Sequence, residues 1–278
     1  MPMRYVCEKL TTNGVFTGGI EGPACDHEGY VYAVNYGKQG TIGKVSPDGS
    51  GEIWLELPNG SVGNGIRFNR AGDMFIADYV NHNIYQVPAG SKKISIFAHE
   101  PQMNQPNDIA ITRDGYLFAS DPNWDEGNGD LWMIDPTGKI TKMESNMGTT
   151  NGVEVSPHDD ILYVNESLQR KIWAYDLNAA KEISNKRLLI EFEDYSLDGM
   201  RCDMDGNLYV TRFGKGTIAK ISPEGIVLLE IPLHGTDCTN ICFGGPDGRR
   251  AYVTVSDQGN IQSFLVNTPG RCWGIWRD

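Results

Sequence analysis

Along almost its whole length the chain alternates short apolar runs with clusters of Gly, Pro, Asp and Asn. Residues 65–68 read GIRF, 108–111 DIAI, 152–155 GVEV and 199–202 GMRC. Behind each lies a tight turn (RAG, RDG, PHDD, MDG), then a second run (MFIA, YLFAS, ILYV, LYVT). A loop leads to a third run: TIGKV from 41, NIYQV from 83, DLWMI from 130, KIWAY from 171, TIAKI from 217 and NIQSF from 260. Aromatic and β-branched residues in runs of this length, punctuated by turn formers, predict β-strands joined by hairpins. A fourth, less regular strand completes each unit.

The unit recurs six times. Aligned on the polar residue that opens each copy, it starts at Glu21, Asn64, Asn107, Asn151, Asp198 and Asn240, at spacings of 43, 43, 44, 47 and 42 residues. Four antiparallel strands per period of about 40–50 residues are the pattern of a propeller blade. The predicted fold is all-β: a six-bladed β-propeller with four antiparallel strands per blade, in one domain spanning 1–278. The sixth copy runs out after three strands, so the N-terminal stretch YVCEKLTT at 5–12 is expected to supply its fourth. Closure of this kind leaves no open sheet edge between the first and last blades.

Composition narrows the partners. A formal net charge of −12 disfavours nucleic acid and anionic membranes, which need basic surface. No run approaches the roughly 20 apolar residues that span a bilayer. The opening residues show no basic segment followed by an apolar one, so no signal peptide is visible and the cytoplasm is the default. Six cysteines (Cys7, Cys25, Cys202, Cys238, Cys242, Cys272) without CxxC spacing are expected to be mostly buried free thiols. A small-molecule substrate and a monomer or small homo-oligomer fit this picture.

In a propeller the first strand of each blade lines the central channel and begins at one mouth. The six opening residues therefore form a ring, and every one carries side-chain oxygen. Asp, Glu and Asn together make up about one residue in five, so composition alone does not produce six agreeing positions. Asn and Asp also precede glycine in ordinary turns, which leaves Glu21 and the absence of Lys or Arg from the ring unexplained. An oxygen-only set with two carboxylates suits a hard divalent cation, Ca2+ first, with Mg2+, Mn2+ and Zn2+ as alternatives. Zinc would be expected to recruit His or Cys, and the ring has neither.

The segments IEGPACDHEGYVYAV at 20, QPNDIAITRDGYLFASDP at 105, TNGVEVSP at 150 and LDGMRCDMDGNLYV at 197 resemble the senescence-marker protein, regucalcin and gluconolactonase family of six-bladed propellers. The resemblance covers nearly the whole chain. It implies a metal held by Glu21, Asn151 and Asp198, with Asn107 beside it on the substrate and Asp198 as catalytic base or nucleophile. It further implies hydrolysis of a small lactone, with a phosphotriesterase-like hydrolase or a non-enzymatic binding propeller as alternatives. A carboxylate on a dication is a weaker base near neutral pH, so a water activated by the cation, with Asp198 only orienting it, is the competing mechanism.

Loops between second and third strands should surround the same mouth. They carry Asp121, Trp124 and Asp125 in the long third-blade segment SDPNWDEGNG, Asn165 and Glu166 in the fourth blade, and Arg212 in the fifth. With Asn64 of the ring and Asn107, the residues Asp121, Trp124, Asp125 and Arg212 are the expected substrate contacts. Some sugar lactonases of the family carry Arg two residues before the Asn-Asp pair, where this chain has Gln105.

Overall fold

The computed structural model describes residues 3–275 and contains six four-stranded antiparallel sheets. Five sheets follow sequence order, opened by strands Ala24–Cys25, Gly63–Phe68, Ile109–Ile111, Thr150–Val155 and Ser196–Cys202. In the sixth, Glu8–Lys9 lies beside Asn260–Leu265, followed by Arg250–Val255 and Cys238–Gly244. The six-bladed propeller and its closure by the N-terminal strand are as the repeat predicts.

The closing strand is shorter than 5–12. Only Glu8 and Lys9 pair in the ladder, opposite Ser263 and Gln262. Tyr5 N donates to Leu265 O at 2.8 Å, while Leu10 N and Thr11 N both donate to Ile261 O, so the chain leaves the edge there. The third-blade segment differs too: strands Leu117–Asn123 and Asn128–Ile134 pair as far as Asn123 opposite Asn128, leaving residues 124–127 as the turn. What reads as a long loop is an extended hairpin.

The core lies between the blades. Each of six apolar clusters takes side chains from two adjacent sheets. Phe75, Ala77 and Ile84 of blade 2 meet Ile109, Ile111 and Leu117 of blade 3, and Cys25, Val31 and Ala33 of blade 1 meet Cys242, Tyr252 and Ile261 of blade 6. Burial of this apolar area supplies the main favourable term. The inner strands are buried on both faces, whereas a fourth strand such as Ile183–Glu191 is mostly exposed, which explains its ragged pattern. All six cysteines are free, four of them buried.

At the end of the channel opposite the ring, the chain returns as a short helix, Arg271–Ile275. Gly270 bridges to Asp203, and Arg271 reaches inward to donate to Ser156 O and Ile111 O, each at 2.9 Å. This helix and the lower ends of the inner strands enclose a cavity of about 30 Å³, lined by Arg67, Glu154, Arg201, Arg271 and four cysteines among others. It has room for a water or two, not for a substrate.

Candidate metal centre

In four blades the ring residue sits where pairing of the first and second strands slips. Register shifts fall between Gly63 and Ile66, Thr150 and Val153, Leu197 and Met200, and Cys238 and Asn240. A bulge bends the strand and re-aims a side chain. Here it takes Asn64, Asn151 and Asp198 out of the ladder's alternation, while Asn240 resumes pairing, opposite Thr254, just after the slip. In blades 1 and 3 the ring residue precedes a short inner strand, and Asn107 N donates to Ser120 O at 2.9 Å.

The glycines that follow have a separate cause. A Cβ on Gly199 would lie 1.9 Å from the Asn240 side chain, and one on Gly152 would lie 2.5 Å from Asp198 O. Neighbouring blades approach so closely at the axis that only glycine fits.

This approach gathers four ring residues. Asp198 faces both the Glu21 carboxylate and the Asn151 amide. Glu21 Oε2 accepts from Gly22 N and, at 2.9 Å, from Asn240 Nδ2. The opposite atom, Glu21 Oε1, is buried without a partner, as are Asn107 Oδ1 and Asn151 Oδ1. Three orphaned oxygens in one ring are unusual, because an unsatisfied buried acceptor costs about 1–3 kcal/mol. Burial first, and the Asp108 charge second, push the Glu21 carboxyl up to about 7. Burial and then the Glu21 charge push Asp198 well above the usual carboxylate range. Two carboxylates facing each other away from water favour sharing a proton, or a cation between them.

Among the described residues no three His, Cys, Asp or Glu side chains cluster as metal ligands. The ring satisfies no such pattern because four of its six side chains are amides, whose oxygens hard cations also accept.

The other sequence-predicted residues divide. Asn64 lies nearly buried in the ring, and Trp124 and Asp125 stand exposed on the third-blade turn. Asp121 is committed: it accepts from Asn104 N at 2.8 Å, Gln105 N at 2.6 Å and Trp132 Nε1 at 2.9 Å. It therefore fixes the segment that leads into Asn107 and is not free to bind substrate directly. Arg212 is fully buried, with Nη1 on Glu230 at 3.1 Å, Nη2 on Asp194 at 2.5 Å and its guanidinium 3.8 Å from the Phe192 ring centre. Its charge is spent inside blade 5, which corrects the expectation that it meets the ligand.

Beneath the ring lies a layer that sequence reasoning missed. Asp108 is wholly buried and receives Arg201 Nη1 and Nη2 at 2.7 and 3.0 Å and Arg67 Nη2 at 3.3 Å. Burial alone would raise the Asp108 carboxyl, but Arg201 and then Arg67 outweigh it and hold it below the usual range. A signal existed: Arg67, Glu154 and Arg201 each stand three residues after a ring residue, as lone charges in apolar strands. Asn165, expected in a mouth loop, donates to Asp198 O at 2.5 Å while its Oδ1 stays unpartnered.

Residues 20–257 match the family model described as the SMP-30/gluconolactonase/LRE-like region. The chain belongs to that family. Among its relatives, the gluconolactonase of Zymomonas mobilis is 27% identical over 250 residues, covering 77% of this chain and 69% of that protein. The regucalcin of Bos taurus is 32% identical over 182 residues, covering 61% and 60%. A crystal structure from Agrobacterium tumefaciens, described as a calcium-binding protein, regucalcin, superposes with a TM-score of 0.83 at 17% identity, covering 97% of each chain. That likeness shows the same fold along the whole propeller.

Proposed function

We propose that this family member is a calcium-dependent lactonase, opening the ester bond of a small, sugar-derived lactone at the channel mouth. The observation that carries the reading is that Glu21 and Asn151, which both meet the Asp198 carboxylate, and Asn107 of the same ring each carry a buried side-chain oxygen without a partner. The donor set fits a hard divalent cation, held by Glu21, Asn151 and Asp198 with Asn107 beside it. Such an ion polarises a carbonyl oxygen and stabilises the oxyanion that develops there. Relatives named gluconolactonase and regucalcin support both halves of the proposal.

The chain's own residues do the rest. Asp198 has two oxygens, one for the cation and one to take a proton from the attacking water. The water's oxygen adds to the carbonyl carbon, the ring C–O bond breaks, and the proton passes to the departing alkoxide. Asn107 offers an amide NH2 to orient the substrate. Asn240 holds Glu21 by its Oε2, which leaves the unpartnered Oε1 as the atom that would hold the ion. Asn165 fixes the backbone of Asp198. Trp124 and Asp125, exposed on the extended hairpin, offer an apolar face and an acceptor to a polyol ring.

The test is a panel of aldonolactones assayed with calcium and with chelator. Ring opening that chelator abolishes and calcium restores is expected. Full activity in chelator would refute the metal role. Hydrolysis of phosphotriesters but of no lactone would assign the same centre to phosphoester chemistry.

A further inference from the structure

We propose that the buried layer of Arg67, Asp108 and Arg201 sets the charge of the cation pocket above it, Asp108 raising its affinity for a dication and the two arginines lowering it. The proposal rests on the metal reading given above. Three observations carry it. The layer touches the elements that supply the ligands. Asp108 follows Asn107 directly, Arg201 shares the strand Ser196–Cys202 with Asp198, and Val153 N, two residues beyond Asn151, lies 3.4 Å from Asp108 Oδ2.

The layer is also sealed from water. Asp108 is 0% exposed, Arg201 5% and Arg67 7%, so their field reaches the ring with little solvent screening. Finally, the three-residue layer is itself not neutral, its nearest further acid being shared with Arg271, which also pairs with Asp159. Two guanidiniums share one carboxylate, and the other acid in reach, Glu154, lies 4.0 Å from Arg201 and 3.6 Å from Arg271. Burial and then the Arg201 charge depress the Arg67 guanidinium to about 10, which marks it as the undercompensated member.

A layer that only braced the blades would behave differently from one that sets a field. Loss of a brace loosens the ring whichever residue is removed, so every variant weakens binding. Loss of a charge moves affinity by its sign. One unit of buried charge near a doubly charged ion is worth at least a ten-fold change at an effective dielectric of about 20.

The experiment is a calorimetric titration of the metal-free full chain with calcium chloride alone, so that no turnover enters the readout. Arg67→Met is expected to bind calcium about ten-fold more tightly than the wild type. Asp108→Asn, with two guanidiniums left uncompensated, is expected to bind about ten-fold or more weakly. Arg67→Lys keeps the charge and is expected within about two-fold of the wild type. If Asp108→Asn does not fold, the Arg67 pair still decides the sign. Weaker binding by Arg67→Met overturns the field and leaves a brace. Equal affinity in Arg67→Met and the wild type overturns it as well. A wild type that takes up no calcium overturns the metal reading itself, a result the variants cannot mimic.

Discussion

At the far end of the channel, Arg271 sets its guanidinium beside Glu154 and Asp159 and donates to two backbone oxygens, all buried under the C-terminal helix. At the mouth, Glu21 and Asp198 face each other with orphaned amide oxygens around them and no cationic side chain among the ring residues. Both ends hold charge away from water. One is closed by the protein's own cation, and the other is built as though its cation comes from solution. A buried charge survives only when paired, so the unpaired end is where a ligand's free energy enters, and the paired end is where the fold keeps its own.

The largest effect expected from breaking this comparison is kinetic. Asp198→Asn keeps the shape and an oxygen for the ion but cannot accept a proton. The kcat on a responsive lactone at saturating calcium should fall by about 10²–10⁴-fold, the usual span for a general base. Near-normal kcat with calcium still bound would leave Asp198 as a ligand only. Asn107→Ala removes one neutral contact and should cost less in kcat than Asp198→Asn.

The same substitution and its far-end counterpart should have opposite effects on stability. Arg271→Met strands Glu154 and Asp159 and should cost about 3–5 kcal/mol in denaturant unfolding, with little change in kcat per folded molecule. Asp198→Asn relieves the facing carboxylates, so the metal-free protein should be no less stable than wild type. A destabilised metal-free Asp198→Asn, matching Arg271→Met, would erase the difference between the two ends.

How far these ends could be read in the sequence follows from the range of the interactions. Blade number, strand order and the ring were legible because each depends on local alternation repeated about every 43 residues, and Asn151 and Asp198 stand out as polar positions opening apolar strands. The charged layer was not, because Arg201 and its partner Asp108 are 93 residues apart and only the circular closure of the blades brings them together. Arg212 misled for the same reason: its place in a mouth loop was visible, while Asp194 and Glu230, which consume its charge, lie 18 residues away on either side. The closing strand was placed correctly but drawn too long, since the point where a chain leaves a sheet edge is set by its neighbour's hydrogen bonds.

A smaller effect comes from pH. The Glu21 carboxyl rises from 4.5 to about 7 on folding and Asp198 rises as well, chiefly through burial. A group whose folded value is raised stabilises the fold fully below its unfolded value and loses that contribution as pH climbs through the folded one. The metal-free protein should therefore lose stability between pH 4.5 and about 7 through Glu21, with Asp198 acting in the same direction. Calcium competes with the same protons, so its stabilising effect should grow across that window. At a hundred-fold excess over Kd, calcium is worth about 2.7 kcal/mol, several degrees in Tm for a chain of this size. Melting curves with calcium and with chelator across the range give the answer. A calcium-induced shift that is flat with pH would show that neither carboxylate gives up a proton to the ion.

The smallest effect belongs to the rim. Trp124 is 41% exposed on a turn of four residues and has no ring partner among the described aromatic contacts. Removing it opens no cavity, so Trp124→Ala should leave the unfolding free energy within about 0.5 kcal/mol of wild type, as exposed substitutions usually do. If the indole covers the sugar ring of a bound lactone, the loss is one that ground state and transition state share, which raises KM and spares kcat. A rise of about three- to ten-fold in KM is the expected size for one partly exposed apolar contact. Unchanged KM would restrict recognition to the ring itself, and a fall in kcat at constant KM would mean that the hairpin acts on the reacting atoms and not only on the sugar.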